Sequence, residues 1–169
     1  MEDLVSRLGE VVREGSAVVL RFERSYDASP AEVWEALTDP DRVARWLGSW
    51  TGDPASGQVL LVMTDEADAP AEPVLIDRCE PPLRLDVTMD PGDGGWPLSL
   101  VLTEHAGRTT LVFEHRLAEP YDAGSIGPGW QYYLDRLGAV LDGSPVPADF
   151  GDYHPRLADR YVVPGPVGG

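Results

Sequence analysis

The sequence predicts an α+β protein in which one curved antiparallel sheet of six strands wraps around a long C-terminal helix. Six segments show the alternation of apolar and polar side chains that is typical of half-buried strands. Short turn sequences separate most of these segments, which favours antiparallel pairing. The longest helical pattern follows the last strand, so a helix is available to cover one face of the sheet.

The strand predictions depend on this two-residue alternation. In the fourth segment, Leu85 and Val87 alternate with Arg84 and Asp86, so one face is covered and the other is in contact with water. The last segment, 109–117, alternates in the same way. The six predicted strands are 17–26, 58–63, 73–79, 83–89, 96–104 and 109–117.

Two short helices are predicted directly after the first strand, in "SPAEVWEALTDPDRVARWLG". Ser29 and Asp39 are good N-cap residues, and each is followed by a proline at the first helical position. Each pattern covers about two or three turns, which is marginal in water without a packing partner. We therefore expect the pair to close one end of the groove between the sheet and the long helix.

The two ends of the chain are predicted to differ from the central domain. Apolar residues at helical spacing predict a helix over 4–14, and a long helix is predicted over about 129–142, ending at Gly143. The remaining residues are rich in proline and glycine. The expected layout is an N-terminal helix within 1–16, a main domain over 17–143, and a C-terminal arm and loose tail over 144–169.

The charge of the chain excludes several classes of function. The formal net charge is −16, and all 13 residues of the combined lysine and arginine count are arginine. Such an acidic protein is not expected to bind nucleic acid or anionic membranes. The absence of lysine excludes a Schiff-base mechanism and a Walker-type phosphate lysine. There is no secretory leader or membrane-spanning apolar run, so we expect a cytoplasmic protein.

Residues that commonly carry metals, cofactors or nucleophilic chemistry are sparse. The three histidines lie far apart, and the single cysteine, Cys79, can form neither an internal disulfide nor a cysteine cluster. Cys79 lies in an apolar strand segment, where a small buried hydrophobic residue is expected. No nucleophile elbow or dinucleotide-binding loop is found. The sequence thus predicts no metal and no cofactor, and the catalytic residues, if any, stay unknown.

Four stretches carry a family resemblance: "YDASPAEVWEALTDPDRVARWLG", "VLIDRCEPPLRLDVTM", "TTLVFEHRL" and "GPGWQYYLDRLGAVLDG". Together they resemble the SRPBCC (START-like, helix-grip) superfamily, and within it the homologues of the activator of the heat shock protein 90 ATPase. The resemblance covers about 17–143 and implies a helix-grip fold with a cavity between the sheet and the C-terminal helix. The chain departs from the family pattern in "WLGSWTGDP" and "SGQVLLVM", so the family pattern applies least to the mouth of the cavity.

The inward faces of the predicted elements supply candidate wall residues for that cavity. For each single candidate an ordinary core residue is the favoured alternative, because apolar side chains at these spacings usually fill the interior. The candidates are Trp46, Met63, Ile76, Leu85, Val87, Leu100, Phe113, Trp130, Tyr133 and Leu137.

Two polar residues are candidates for ligand binding. His115 shares a strand face with Leu111 and Phe113, so its imidazole is expected to point inward, either towards a ligand or as a hydrogen-bonded core residue. Arg78 shares the parity of Val74 and Ile76 and would bind a ligand carboxylate if that face is inward. If a bulge shifts the parity, Arg78 is instead solvated.

These observations predict a small-molecule binding domain that holds an apolar or aromatic ligand. One alternative is a cyclase-, dehydratase- or hydrolase-like enzyme that uses the same cavity. Another is a regulator of a chaperone ATPase or a protein-interaction module, although the chaperone-binding domain of the larger eukaryotic proteins is not found in this sequence. A homodimer formed through the N-terminal helix or the C-terminal arm also stays open.

Overall fold

The computed structural model describes residues 7–64, 70–89 and 95–165. Its strands and helices follow one another in the order β1 to β2, α1 and α2, β3 to β8, and α3. Their bounds are β1 Glu10–Glu14, β2 Ala17–Tyr26, α1 Pro30–Thr38, α2 Pro40–Val43, β3 Gly48–Thr51, β4 Gln58–Met63, β5 Glu72–Glu80, β6 Arg84–Met89, β7 Trp96–His105, β8 Arg108–Leu117 and α3 Ala123–Asp142.

The strands of the described residues form one sheet of eight strands in the order β1-β2-β8-β7-β6-β5-β4-β3. Every neighbouring pair is antiparallel. The α+β class, the antiparallel sheet and the C-terminal helix are as predicted, but the prediction of six strands is wrong. All six predicted strands are present, and β1 and β3 extend the sheet at its two edges.

The predicted N-terminal helix is wrong where the structure describes it. Residues Glu10–Glu14 form strand β1, in which Glu10 pairs with Arg21 and Glu14 pairs with Ala17. Gly15 takes a φ of 63° in the turn between the two strands, a conformation that favours glycine. The structure of this segment is therefore determined by pairing with the edge of β2 and not by the helical spacing of its apolar residues. Residues 1–6 lie outside the described part of the chain.

The core lies on the face of the sheet that meets α3. In β8 the predicted alternation is confirmed, because Leu111, Phe113, His115 and Leu117 are all buried. In the register of β2 and β8, Phe22 lies opposite Phe113, and their rings meet edge to face with 6.2 Å between centroids. This pairing joins the start of the chain to its last strand and brings His115 into the interior.

Helix α3 begins at Ala123, before the predicted start near residue 129. The Gly- and Pro-rich segment before Trp130, which lies outside the predicted helix, forms the first turns of α3. Gly127 lies in these turns, and a Cβ there would lie 2.3 Å from Cγ of Tyr161. The glycine allows close packing between the helix and the C-terminal arm.

The C-terminal arm, residues 144–165 of the described chain, packs against α3. It contains two short 3-10 turns, and Tyr153, Leu157 and Tyr161 are buried against the helix and the core. Because the sheet covers one side of α3 and the arm covers another, residues 130 to 137 of the helix are buried all round. The predicted loose tail, where it reaches 166–169, lies outside the described residues.

Asp135 of α3 joins three separate parts of the chain. Its Oδ1 accepts hydrogen bonds from Nε of Arg7 at 3.0 Å and from a guanidinium nitrogen of Arg24 at 2.7 Å. Its Oδ2 accepts a hydrogen bond from the hydroxyl of Tyr153 at 2.8 Å. The Asp135 side chain is only 2% exposed, so its charge depends on these partners for compensation.

We expect Asp135→Asn to lower the free energy of unfolding by about 3–5 kcal/mol, because it leaves the guanidinium of Arg24, whose side chain is 11% exposed, without its counter-charge. Urea unfolding followed by circular dichroism measures the effect. Asp152→Asn is the matched control, since Asp152 pairs at 3.8 Å with Arg156 on the surface and both side chains are about half exposed. The control should cost less than about 1 kcal/mol. Equal losses in the two variants would contradict the role given to Asp135.

Candidate functional site

Two cavities lie against the covered face of the sheet, and Trp130 of α3 contributes to the wall of both. We call residues 30–47, which contain α1 and α2, the lid. The lid cavity has a volume of about 230 Å³ and lies between the lid and strands β4 to β8. The His115 cavity has a volume of about 740 Å³ and lies between β8, the start of α3 and the C-terminal arm.

The lid cavity is walled almost entirely by apolar side chains. Its residues are Trp34, Leu37, Thr38, Val43, Trp46, Leu47, Trp50, Pro54, Val59, Leu61, Val74, Ile76, Cys79, Leu85, Val87, Met89, Leu98, Leu100, Phe113 and Trp130.

The two predicted N-cap residues determine where the two short helices of the lid begin. Ser29 accepts a hydrogen bond from the backbone of Glu32 at 3.2 Å and begins α1. Asp39 accepts one from the backbone of Asp41 at 2.9 Å and begins α2, which is shorter than predicted. These side chains satisfy backbone donors that a helix start leaves unpaired.

Trp46 and Trp50, which both line the lid cavity, are hydrogen-bonded to the last turn of α1. Nε1 of Trp46 donates to the carbonyl of Ala36 at 2.8 Å, and Nε1 of Trp50 donates to the carbonyl of Thr38 at 3.1 Å. These carbonyls belong to the last turn of α1, where backbone acceptors have no partner within the helix. Because both indole N–H groups are used in this way, the rings present only apolar surface to the cavity.

Arg136 of α3 holds the lid against the long helix. Its Nε donates to the carbonyl of Trp46 at 2.9 Å, and a terminal nitrogen donates to the carbonyl of Arg45 at 3.3 Å. Another terminal nitrogen donates to the carbonyl of Pro147 in the arm. One buried guanidinium thus fixes the lid, the helix and the arm relative to one another.

The His115 cavity is more polar than the lid cavity. Its buried end is formed by His115, Trp130 and Tyr133, and its mouth carries the carboxylates of Glu119 and Asp122. The remaining wall residues are Met63, Gly95, Trp96, Ala118, Pro120, Ser125, Ile126, Gly129 and Phe150.

His115 lines the cavity and has one ring nitrogen in a hydrogen bond within the described residues. Nδ1 accepts a hydrogen bond from Nε1 of Trp130 at 3.1 Å. The residue is 1% exposed, and burial lowers the pKa of His115 from 6.5 to about 4. The imidazole is therefore neutral at pH 7. Because its Nδ1 is an acceptor, the single ring proton is on Nε2, which is a hydrogen-bond donor.

The structure distributes the predicted wall residues between the two cavities and the core. Leu137 is fully buried but lines neither cavity. Met63, His115 and Tyr133 line the His115 cavity, and Trp130 lines both. The lid cavity contains the remaining apolar candidates, which are Trp46, Ile76, Leu85, Val87, Leu100 and Phe113.

Arg78 lines neither cavity, so of the two alternatives for this residue the structure shows the second, solvation after a shift of parity. The register of β5 against β6 shifts between Ile76 and Arg78. Before the shift Ile76 faces the lid cavity, and after it Cys79 does. Arg78 is therefore turned to solvent, where it forms an ion pair with Glu80. Cys79 is exposed although it lines the lid cavity, which corrects the expectation that this residue is buried.

Several wall residues were not predicted from the sequence. Trp34 and Trp50 line the lid cavity, and Trp96, Glu119 and Asp122 line the His115 cavity. Residue type alone could have identified the tryptophans as wall residues, because all 5 tryptophans of the chain line one cavity or the other. The two acidic residues had none, since acidic residues are common throughout this sequence.

Within the described ranges, no group of three or more histidine, cysteine or acidic side chains is placed to hold a metal ion. Among those same residues, no helix combines the length and the apolar character needed to cross a membrane.

A long C-terminal helix covering an antiparallel sheet, with cavities between sheet and helices, defines a helix-grip domain of the SRPBCC superfamily. The family within that superfamily follows from the sequence. The chain belongs to the Activator of Hsp90 ATPase homolog 1-like family, whose model matches residues 27–142. The predicted family resemblance is thus confirmed.

Similar solved structures support the same fold. CalU16 from Micromonospora echinospora is 29% identical, with a TM-score of 0.68 and 91% of each chain covered. DynU16, described as a protein of the dynemicin biosynthetic locus, is 26% identical with a TM-score of 0.58, covering 78% of this chain and 50% of its own. A conserved protein of unknown function from Enterococcus faecalis, EF2215, is 24% identical with a TM-score of 0.70, covering 90% and 89% of the two chains. That last similarity shows the fold alone. A comparison with curated proteins gives no match.

The low pKa of His115 predicts a measurable pH dependence of stability. The folded-state pKa of about 4 lies below the value of 6.5 expected for the unfolded chain, so the unfolded chain takes up a proton first as the pH falls. Stability is therefore lost as the pH falls from 6.5 towards 4, with about 2 kcal/mol lost between pH 7 and pH 5 from this group. Urea unfolding at the two pH values measures the loss.

His115→Gln is the control for this prediction. Glutamine retains an acceptor for the indole N–H of Trp130 but does not titrate. The acidic residues titrate in both proteins, so the difference between the two pH dependences isolates His115. An identical pH dependence in the variant, or an NMR titration of His115 with a midpoint near 6.5, would contradict the assignment.

Proposed function

We propose that the chain is a binding domain for an apolar or aromatic small molecule, held in the His115 cavity with the lid cavity as an apolar extension. The observation that carries this proposal is the volume of about 740 Å³ behind an open mouth. Ligand sites usually have volumes of about 300–1,000 Å³, with mostly apolar walls and a few placed polar groups. The His115 cavity has that size and that composition.

The shared wall supports the idea that the two cavities act together. Trp130 lies 4.9 Å from Phe113 of the lid cavity and 6.4 Å from Trp96 of the His115 cavity, measured between ring centroids. Aromatic faces of this kind stack on flat ring systems. A ligand with an aromatic ring therefore finds complementary surface on both sides of Trp130.

The state of His115 favours binding over acid–base catalysis. A general base needs an unprotonated nitrogen facing the substrate, but Nδ1 is bonded to Trp130 and Nε2 carries the proton. The low pKa of His115 makes the imidazolium scarce at pH 7, so a general-acid role is also disfavoured. An enzyme that uses this cavity would require a different base. The chaperone-regulator alternative rests on the family description alone and is not proposed.

The neighbours are in keeping with a small-molecule ligand. DynU16 is described as a protein of a biosynthetic locus, which associates that neighbour with the production of a small molecule. Shared fold alone does not transfer a ligand, because this architecture is common to many functions. The ligand class therefore has to be tested on this chain directly.

The first test combines mass spectrometry and tryptophan fluorescence. Native and then denaturing mass spectra of gently purified protein should release an apolar compound if one is co-purified. Titration with the neutral dye Nile red should quench tryptophan emission, since all 5 tryptophans line the two cavities. A chemically altered compound in place of the added one would instead indicate an enzyme.

Gly129 offers a matched pair of variants for the same titration. A Cβ built at Gly129 meets only the ring of Phe150, at 4.0 Å, so the cavity has room at this position. We expect Gly129→Phe to fill the cavity and to weaken Nile red binding at least about tenfold, which corresponds to about 1.4 kcal/mol. Gly129→Ala should retain binding and stabilise the helix by about 0.5–1 kcal/mol.

Two results would contradict the proposal. Equal Nile red affinity in Gly129→Phe and Gly129→Ala would place the dye outside the His115 cavity. A failure of Nile red to bind the unmodified protein, together with clean mass spectra, would indicate that the cavity is not a site for apolar ligands. Urea unfolding of both variants checks that each one is folded.

A further inference from the structure

The contact between Trp130 and His115 determines what kind of ligand group can bind at the buried end of the His115 cavity. Indole Nε1 is a donor only, so Nδ1 of His115 has to be its acceptor. If the ring proton moved to Nδ1, two N–H groups would face each other in a buried site, and both would lose their hydrogen bonds. The structure therefore holds one tautomer, with the proton on Nε2.

The described residues around His115 provide no hydrogen-bond acceptor for its Nε2 proton. Trp96 lies over the imidazole with 5.0 Å between ring centroids, and Trp130 approaches it nearly perpendicularly. The one hydrogen bond of the His115 side chain in the described structure is the bond at Nδ1. The imidazole lines the cavity, so its remaining donor is available to a ligand.

The mouth of the same cavity carries negative charge. Glu119 and Asp122 are both exposed there, and Glu119 accepts a hydrogen bond from the hydroxyl of Tyr121 at 3.3 Å. Asp122 precedes α3 but makes no capping hydrogen bond with its side chain. None of the described wall residues of this cavity is arginine or lysine, and the imidazole of His115 is neutral at pH 7. An anionic ligand would thus meet repulsion without a compensating cation.

We propose that the His115 cavity selects ring-containing apolar ligands that place a carbonyl or ether oxygen against Nε2–H of His115 and that carry no negative charge. This inference rests on the proposed function and narrows it to a ligand class. It assigns His115 as a specificity-determining donor, Trp130 as the residue that positions it, and Glu119 with Asp122 as the groups that exclude anions.

Four matched probes test the inference: 2-acetylnaphthalene, 2-ethylnaphthalene, 2-naphthoate and 2-(aminomethyl)naphthalene. They share one ring system and differ in an acceptor oxygen or in charge. Tryptophan fluorescence titration at pH 7 should show 2-acetylnaphthalene binding about fivefold to tenfold more tightly than 2-ethylnaphthalene. We expect 2-naphthoate to bind at least about tenfold more weakly than 2-acetylnaphthalene, and the amine to bind no more weakly than 2-ethylnaphthalene.

Two sets of variants connect these preferences to the named residues. In His115→Phe the preference for the acetyl probe should disappear, while 2-ethylnaphthalene still binds. The double variant Glu119→Gln with Asp122→Asn should reduce the discrimination against 2-naphthoate. Its matched control is Glu23→Gln with Glu104→Gln, which removes the same charge from exposed strand positions outside both cavities and should leave the discrimination unchanged.

A measurement on the unmodified protein covers the case in which His115→Phe does not fold. Proton–nitrogen correlation NMR of protein labelled with ¹⁵N-histidine distinguishes the two neutral tautomers. A protonated Nε2 with a bare Nδ1 supports the inference, and the reverse pattern overturns it. Addition of 2-acetylnaphthalene should shift the Nε2 signals of His115, whereas 2-ethylnaphthalene should shift them much less.

The outcomes separate this inference from the proposed function. If the naphthalenes bind but the acetyl and ethyl probes have equal affinities, the donor role of His115 is overturned and the binding function stands. A preference for the acetyl probe that survives in His115→Phe overturns the donor role in the same way. If 2-naphthoate binds as well as the neutral probes, the exclusion of anions is overturned. Absence of binding by all four probes overturns the proposed function and this inference together.

Discussion

Two adjacent buried charges on α3 determine how the rest of the chain is arranged around the helix. Asp135 is 6% exposed and Arg136 is 8% exposed, and a buried charge is costly unless polar partners surround it. Asp135 obtains its partners from Arg7, Arg24 and Tyr153. Arg136 obtains its partners from backbone carbonyls of the lid and the arm. The N-terminal segment, β2, the lid and the arm therefore have to meet at one turn of the helix.

This constraint also decides where the cavities are. The lid is held to α3 through the carbonyls of Arg45 and Trp46, and the same helix presents Trp130 to the sheet. Space is left on both sides of that indole, with the lid closing one cavity and the arm bordering the other through Phe150. Gly129 adds no side chain at this point, so the larger cavity is not filled from the helix. The cavities thus result from how the covering elements are attached rather than from missing core residues.

The single hydrogen bond between Trp130 and His115 has more chemical consequence than the apolar walls. Apolar surface gives affinity without direction, whereas one oriented donor in a buried site distinguishes ligands by the presence of an acceptor. Burial keeps the imidazole neutral, and the indole keeps its proton on Nε2. The helix-grip fold is shared by proteins of many functions, so it is this pair of side chains that makes the cavity chemically particular.

The sequence by itself determined those features that depend on neighbouring residues. The alternation in β8 placed His115 inside, and the caps at Ser29 and Asp39 located both short helices, because side-chain periodicity and capping are local properties. The apolar wall was also recognisable in outline, since the inward parity of β6 and β8 follows directly from the residues. Family motifs then gave the class of fold.

Only the tertiary structure decided the features that depend on distant partners. Residues 10–14 form a strand because the edge of β2 is free to pair with them, and their own spacing does not contain that information. Arg78 faces solvent because a register shift changes which residues of β5 point inward. No residue type in the segment indicates such a shift. The early turns of α3 pack against the arm because Gly127 leaves room for Tyr161, and the partners of Asp135 and Arg136 come from far along the chain. In each case the deciding contact joins residues that are remote in sequence, so local propensity could not reveal it.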